Sequence, residues 1–216
     1  MDFQKEKLKK YWEKFWFFVW KDDSFKGWII SILFIFIVIK FIFFPLLSLA
    51  TGTSLPLAIV ESCSMYHEGN YLSKFDDWWT THEDNYESLG IDKTTIENAI
   101  FTKGFNKGDI LFIVGAKPEN IKIGDVIIYQ AIQKDVIHRV VAIKKDGDNY
   151  IFSTMGDNVG HIQSFETAIN ENQLVGKAKI KLIPYIGWIK LIGADLTGRF
   201  LGRDFYYIKD GFCRAN

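Results

Sequence analysis

The chain lacks an excess of charge of either sign, because 26 basic residues balance 26 acidic residues among 216. This balance gives no basis for binding nucleic acid or another polyanion. The two cysteines, Cys63 and Cys213, have neither the paired spacing of a zinc site nor the density of a disulfide scaffold. Three histidines and three acidic residues are the remaining candidates for metal ligands, but no pair of them has the spacing of such ligands: His67, His82, His161, Asp76, Asp77 and Glu83. No metal is therefore predicted.

Aromatic residues are abundant, and they are concentrated in the first 44 residues, which favours a membrane protein. Residues 28–49, WIISILFIFIVIKFIFFPLLSL, contain one charge, Lys40. As a helix this run would rise about 33 Å, enough to cross a hydrocarbon core of about 30 Å. Lys40 lies past the middle and can extend toward the exit side, and Pro45 is expected to kink or end the helix. We therefore predict one transmembrane helix.

The distribution of lysines predicts the orientation of this helix. Seven lysines precede it, whereas no Lys or Arg follows Lys40 until Lys74. The positive-inside rule then places the N-terminus in the cytoplasm and the remainder outside the cell membrane. A cleavable signal peptide, with SLA at 48–50 as the cleavage motif, is the alternative, but the apolar run is too long for one. Residues 1–27 mix lysines with aromatic residues, as an interfacial amphipathic helix does, or form a plain cytoplasmic extension.

The remainder of the chain is predicted to be mainly β. Short β-branched runs separated by Gly, Asp and Lys indicate strands, at 108–116, 124–132, 135–145, 149–154 and 174–183. We expect one β domain over residues 50–192. It is interrupted by an acidic insertion at 66–106, with one helix capped near Thr94 or Thr95. For Trp78 and Trp79 in the insertion, the sequence leaves three roles open: contact with lipid headgroups, covering of the active site, or packing of a small core. Residues 193–216 form either a membrane-surface tail or a solvated one.

Two serines and one histidine are the candidate catalytic residues. Ser62 and Ser64 lie on either side of Cys63 in VESCSMYH, directly after an apolar run. Serine is a poor nucleophile unless a base takes its proton, and histidine is suited to this near neutral pH. His138 lies in the apolar strand VIHRVVAI. A carboxylate usually orients such a histidine, and Asp157 follows the next strand in STMGDNVG.

At these residues the chain resembles a type I signal peptidase of the branch found in archaea and in the endoplasmic reticulum. After the anchor, seven blocks follow in the same order over residues 55–190: a strand, then SCSM, KGDILF, GDVIIY, HRVVAI, MGDNV and LVGKAKIKLIPYIGW. The resemblance implies that Ser64 is the nucleophile and that His138 is the general base, in place of the lysine of most bacterial enzymes. It implies that Ser62 assists the oxyanion hole beside the backbone N–H of Ser64, and that Asp157 is needed for activity.

Three positions depart from the family pattern. Cys63 replaces a glycine between the serines and requires a negative φ, YH at 66–67 replaces a proline, and Gln163 replaces a second aspartate. Without that aspartate, three alternatives remain: Asp157 alone orients His138, Glu166 orients it, or no carboxylate orients it. A Cys–His enzyme using Cys63 is a further alternative, although that side chain should point away from both serines.

The resemblance implies a membrane-anchored serine endopeptidase that cleaves signal peptides from exported preproteins, with no cofactor. The substrate would lie extended along LPLAIV, residues 55–60, in contact with the side chains of Leu57, Ile59, Val60 and Met65. Shallow pockets there would admit small residues one and three positions before the cut. Expected partners are such preproteins, the lipid bilayer and the translocation machinery. The alternatives are an inactive relative that binds signal peptides or assembles with other proteins, and a self-cleaving repressor, which His138 and the lack of a DNA-binding helix pair disfavour.

Overall fold

The computed structural model describes residues 2–69, 74–132, 134–200 and 212–214. Contacts between residues divide the chain into two units, Met1–Ala50 and Thr51–Asn216. The first unit is helical and the second contains the sheet. The division falls where the sequence changes from the apolar run to the β-rich region.

The N-terminal unit begins with a helical hairpin of α1 (Asp2–Trp20) and α2 (Phe25–Val38). The side chain of Ser24 caps α2 by accepting a hydrogen bond from the backbone of Gly27. The rings of Phe15 and Trp16 lie 5.4 and 5.9 Å from the ring of Phe34. The segment predicted to be amphipathic is thus a helix that packs on α2, and its relation to a membrane remains a prediction.

The apolar helix is longer than predicted and is not ended by proline. It runs as α2, a π-helical turn at Ile39–Phe43 and α3 (Phe44–Thr51). Together Phe25–Thr51 span 27 residues and include an 18-residue stretch with a mean hydropathy of 2.8. The backbone N–H of Phe44 bonds to the carbonyl of Ile39, five residues earlier. This wide turn directly before Pro45 lets the helix continue past the missing proline N–H. By length and composition, the helix is sufficient to cross a membrane.

The second unit contains an antiparallel sheet of seven strands in the order β1-β2-β7-β3-β4-β5-β6. The strands are β1 (Leu57–Ile59), β2 (Ile110–Val114), β3 (Val126–Gln130), β4 (Asp135–Asp146), β5 (Asn149–Met155), β6 (Ile169–Asn170) and β7 (Leu174–Ile183). The mainly-β prediction is therefore confirmed. Two strands start later than predicted because Asp109 and Asp125 form turns, where their carboxylates accept the backbone N–H of Asn106 and Lys122.

The predicted insertion is helical and packs on the sheet. It contains α4 (Phe75–Glu87), which the sequence reading missed, and α5 (Lys93–Glu97), which Asp92 caps in place of Thr94 or Thr95. Trp78 and Trp79 are 4% and 3% exposed and share a core cluster with Val141 and Met155 of the sheet. Of the three roles considered for these tryptophans, the structure shows core packing. A further helix, α6 (Trp188–Phe200), follows β7.

Candidate active site

Ser64, His138 and Glu166 form one hydrogen-bonded line. Ser64 lies in the loop that follows β1, His138 lies within β4, and Glu166 ends a 3₁₀ turn at Ser164–Glu166. The hydroxyl of Ser64 is 2.8 Å from Nε2 of His138, and Nδ1 of the same ring contacts Oε1 of Glu166. His138 is 5% exposed and Glu166 is fully buried. The imidazole thus has a hydroxyl on one side and a carboxylate on the other.

The two contacts of the imidazole determine its tautomer. A carboxylate only accepts hydrogen bonds, so Nδ1 of His138 donates its proton to Glu166 and Nε2 is left to accept from the hydroxyl of Ser64. Oγ of Ser62 lies 3.1 Å from Oγ of Ser64. This arrangement can withdraw a proton from a serine hydroxyl and stabilise the positive charge that the imidazole gains.

Glu166 is held by its own turn and by β5. Its Oε2 accepts the backbone N–H of Gln163 at 2.9 Å, and the side chain of Gln163 accepts the backbone N–H of Glu166 in return. This is a reciprocal capping box. The hydroxyl of Thr154 on β5 lies 3.3 Å from Oε1 of Glu166 and 3.2 Å from the hydroxyl of Tyr129. Burial raises the pKa of Tyr129 to about 12, so the phenol stays protonated. Gln163 therefore caps the turn that carries Glu166.

Asp157, the residue expected to orient His138, has other partners. Its Oδ1 accepts from Nε of Arg139 and from the hydroxyl of Tyr86, at 2.9 and 2.8 Å. Its Oδ2 accepts from Nη2 of Arg139 and from Nε2 of His67, at 2.6 and 2.8 Å. Both nitrogens of the His138 ring already have partners, and Asp157 is neither of them. The expectation is corrected: Asp157 is the centre of a separate buried cluster.

The charges of this cluster follow from its burial together with the charge of Arg139 and the hydrogen bonds to Asp157. Burial alone raises the pKa of the Asp157 carboxyl, but the charge of Arg139 and the hydrogen bonds from His67 and Arg139 outweigh it and hold the pKa well below its usual range. Burial lowers the pKa of the His67 imidazole and outweighs the opposing effect of Asp157. His67 is therefore neutral and donates through Nε2, which agrees with its Nδ1 being buried without a partner in the described part of the chain.

The cluster joins the insertion to the sheet. The ring of His67 stacks on Trp78 with centroids 3.9 Å apart and planes 5° apart, and Tyr86 reaches Asp157 from the end of α4. The guanidinium of Arg139 also donates to the carbonyls of Gly124 and Phe101, at 2.9 and 3.1 Å. Burial raises the pKa of Tyr86 well above its ordinary value, so this hydroxyl remains a donor. These contacts give Asp157 a structural role.

The two neighbours of Asp157 contact the loop of Ser64 directly. A Cβ on Gly156 would lie 2.8 Å from the carbonyl oxygen of Ser64 and 3.0 Å from Nε2 of His138, so glycine is required for the close approach. The backbone N–H of Asn158 donates to that same carbonyl at 2.8 Å, and its side-chain amide donates to the carbonyl of Cys63 at 3.1 Å. The MGDNV block therefore holds the serine loop through Gly156 and Asn158.

The residues predicted to contact substrate divide into two pairs. The side chains of Leu57 and Ile59 are half-buried on one face of β1. Those of Val60 and Met65 are 5% and 2% exposed and belong to the hydrophobic core. Direct contact of Val60 and Met65 with a substrate is therefore corrected: Val60 lies on the opposite face of the extended segment from Leu57 and Ile59, and Met65 packs into the core from the turn that follows. Val60 continues the core face that Ala58 occupies.

The strand β1 has one open side. It lies at the edge of the sheet and pairs with β2 alone among the described strands. The carbonyl of Pro56 accepts from the backbone of Ile113, and the backbone N–H of Val60 donates to Asp109. In an antiparallel pair the backbone groups of alternate residues face the same neighbour, so those of Leu57 and Ile59 face away from β2. Among the described residues no backbone group pairs with them, so they can pair with another extended chain.

Cys63 and Cys213 form a disulfide across 150 residues of sequence. The two cysteines alone gave no sign of this pairing, because nothing in their spacing brings them together. Cys63 meets the backbone condition expected for it, because the non-glycine residues with positive φ in the described chain are Phe101 and Tyr185. With its sulfur in a disulfide, Cys63 is not the nucleophile of a Cys–His pair. Within the described residues, no group of three His, Cys, Asp or Glu side chains is arranged to hold a metal ion.

An imidazole between a hydroxyl and a buried carboxylate is the arrangement of hydrolases that use a serine nucleophile. No family model matches the sequence. The chain is similar to the signal peptidase complex catalytic subunit SEC11C of human and of mouse, at 27% identity over 99 residues, which cover 42% of this chain and 51% of each relative. The chain thus spans about half the length of the curated relatives it matches. This similarity supports a place among the signal peptidases, and with the N-terminal apolar helix it indicates association with a membrane.

Proposed function

We propose that the chain is a membrane-anchored serine endopeptidase that cleaves signal peptides from exported preproteins. The observation that carries this proposal is the line from Ser64 through His138 to Glu166, with 2.8 Å between the hydroxyl and Nε2. It occurs in a chain similar to catalytic subunits of the signal peptidase complex. A buried carboxylate behind the imidazole favours catalysis over binding alone, since a site that only binds peptides needs no activated hydroxyl.

The mechanism follows from the hydrogen bonds. Nε2 of His138 takes the proton of Ser64 as its oxygen attacks the scissile carbonyl, and Glu166 stabilises the resulting imidazolium. The hydroxyl of Ser62, now 3.1 Å from Oγ of Ser64, and the backbone N–H of Ser64 donate to the oxyanion. The imidazolium then protonates the leaving amine. Nε2 of His138 next takes a proton from a water molecule as the water oxygen attacks the acyl carbonyl. It gives this proton to Oγ of Ser64 as the acyl group leaves.

The substrate would bind by adding a strand to the sheet. The outward backbone groups of Leu57 and Ile59 offer main-chain hydrogen bonds to an extended peptide. Alternate side chains of that peptide would face the half-buried side chains of the same two residues. Small residues one and three positions before the cut share this period of two. The edge strand leads directly into the loop of Ser64, which brings the peptide to the nucleophile.

The apolar helix Phe25–Thr51 would anchor the enzyme in the cell membrane with its N-terminus in the cytoplasm and the sheet outside. Signal peptides that are already in the bilayer would then reach the site by diffusion in the membrane plane. Protease added outside intact cells should degrade the second unit. Degradation of the second unit only after the cells are opened would show the opposite orientation.

The proposal is tested with the full chain in liposomes and a preprotein that has alanines one and three positions before its cleavage site. The wild type should cleave it, Ser64→Ala should not, and Ser88→Ala, which removes an exposed hydroxyl on the insertion, should cleave it normally. Equal cleavage by Ser64→Ala and wild type would exclude Ser64 as the nucleophile. Binding of the signal peptide without cleavage by any form would identify an inactive binding module.

A further inference from the structure

The disulfide links the loop of the two active-site serines to a distant segment of the chain. Cys63, between Ser62 and Ser64, is bonded to Cys213. The segment 212–214 has two further attachments to the same unit. The side-chain amide of Asn158 donates to the carbonyls of Cys63 and Arg214, at 3.1 and 3.3 Å, and the ring of Phe212 packs 5.3 Å from that of Trp188.

The position of Ser62 depends on the backbone to which the disulfide is attached. Ser62 is exposed, and in the described part of the chain its hydroxyl has one hydrogen-bond partner, Oγ of Ser64. The carbonyl of Ser64 is held by Asn158, whereas Ser62 lies on the other side of Cys63. An oxyanion donor acts only when it is fixed before the reaction. The residues on either side of Ser62 are both held: Glu61 pairs with Lys190 at 3.3 Å, and Cys63 is held by the covalent bond and by the hydrogen bond from Asn158 to its carbonyl. The disulfide is the covalent member of this set.

We propose that the Cys63–Cys213 disulfide is a positioning element of the catalytic site, and that the oxidised chain is the active form. A dithiol reductant passes two electrons to the bonded sulfurs and closes to a cyclic disulfide. Its two protons go to the sulfurs of Cys63 and Cys213, which become thiols. The loop then loses its covalent link to segment 212–214 and keeps the hydrogen bonds of Asn158, so Ser62 is held less firmly where the oxyanion forms. The effect on turnover rests on the proposed peptidase function, whereas the effect on the loop does not.

The first test measures whether Ser62 and the disulfide act together. We compare kcat/KM of the full chain in detergent micelles for wild type and Ser62→Ala, each with and without dithiothreitol. In the oxidised form, Ser62→Ala should lower kcat/KM by about 10- to 1000-fold, the effect of one oxyanion donor. In the reduced form, Ser62→Ala should lower kcat/KM by a few-fold at most. If reduction only lowered the amount of folded protein, it would lower kcat/KM of wild type and of Ser62→Ala equally, and the ratio between the two would stay as it is in the oxidised form.

The control is the variant Cys63→Ser with Cys213→Ser, which should behave as reduced wild type and be insensitive to dithiothreitol. If this variant does not fold, chemical reduction of wild type still provides the comparison. If the ratio of kcat/KM between wild type and Ser62→Ala is the same in oxidised and reduced protein, the proposal is overturned. Free thiols at Cys63 and Cys213 in unreduced protein, found by peptide mapping, would overturn it as well.

A second measurement does not depend on activity. Hydrogen exchange of the backbone amides of residues 61–66 should become faster when the disulfide is reduced, while that of β3 and β4 should stay slow. Unchanged exchange in the loop would overturn the proposal whatever the activity. If the loop loosens on reduction but oxidised wild type cleaves no preprotein, the disulfide still positions the loop and the peptidase function is excluded.

Discussion

His138 and Arg139 are neighbours on β4, yet their side chains belong to separate networks on opposite faces of the strand. His138 contacts Ser64 and Glu166, whereas Arg139 binds Asp157 with two nitrogens, at 2.9 and 2.6 Å. The alternation of side chains along a strand produces this separation. One face therefore carries the candidate chemistry and the other carries the buried ion pair that attaches the insertion.

Glu166→Gln should keep the fold and lower turnover by as much as about 10⁴-fold, the effect of losing the acid of a catalytic triad. The amide can still accept a hydrogen bond from the backbone of Gln163, but it brings no negative charge to the imidazolium of His138. The measurement is kcat for preprotein cleavage, with thermal unfolding as the check on folding. Gln163→Ala is the matched control and should cost less, since it weakens only the cap. Wild-type turnover in Glu166→Gln would mean that no carboxylate is needed at His138.

Asp157→Asn should act mainly on stability. It removes the charge that compensates the fully buried guanidinium of Arg139, and breaking such a pair costs about 3 to 5 kcal/mol of unfolding free energy. Denaturant unfolding of the second unit, followed by tryptophan fluorescence, measures this loss. The surface ion pair of Lys93 and Asp76 provides the control, because solvent screens an exposed pair and Asp76→Asn should cost much less than Asp157→Asn. Similar small losses in both variants would contradict the structural role of Asp157.

The buried His67 predicts a pH dependence of stability. Burial lowers its pKa from an ordinary value of 6.5. As the pH falls below about 6.5, the unfolded chain therefore takes up a proton that the folded protein does not, and the unfolding free energy falls, with a limiting slope of about 1.4 kcal/mol per pH unit. The carboxyl of Asp157 titrates in a lower range because its pKa is also lowered, from 3.8, so the window between about pH 5 and 6.5 separates the titration of His67 from that of Asp157.

In that window, His67→Phe should give a flatter dependence of unfolding free energy on pH than wild type. Phenylalanine can keep the stack on Trp78, although it loses the bond to Asp157 and so lowers stability at every pH. The slope, not the absolute stability, is the measured quantity. His161→Phe, at an exposed position, serves as the control. The same slope in wild type and His67→Phe would show that His67 gains its proton equally in both states.

Gly156→Ala should lower turnover by about 100-fold or more, because a displacement of about 1 Å in a catalytic group has an effect of this size. The added methyl group would meet the carbonyl of Ser64 at 2.8 Å and Nε2 of His138 at 3.0 Å. Cleavage kinetics measure the loss. Gly193→Ala is the matched control, because a Cβ there meets nothing within 4 Å, and it should leave turnover unchanged. Normal activity in Gly156→Ala would mean that the serine loop moves without consequence.

The sequence allowed the strands to be predicted because their β-branched runs are bounded by glycine and aspartate turns. It also allowed Ser64 and His138 to be paired, since a serine needs a base. It did not allow a choice between Asp157 and Glu166, because both lie in turns, where no period fixes the direction of a side chain. The capping relation of Gln163 to Glu166, three residues apart, was the available signal. The helix α4 was missed because its acidic face obscures the few buried positions, Trp78, Trp79 and Tyr86.

The residues of the candidate site are far apart in the chain, and this has a consequence for biosynthesis. Ser64 lies 74 residues before His138, which lies 28 residues before Glu166, while the disulfide partner of Cys63 comes 150 residues after it. A ribosome makes these residues one after another, at about 5 to 20 residues per second. A growing chain thus has its serine loop for several seconds before it has the base, the carboxylate and the second cysteine. On the proposed function, the chain passes through the membrane without an active nucleophile, and cannot cut other nascent chains or itself until His138, Glu166 and Cys213 have been made.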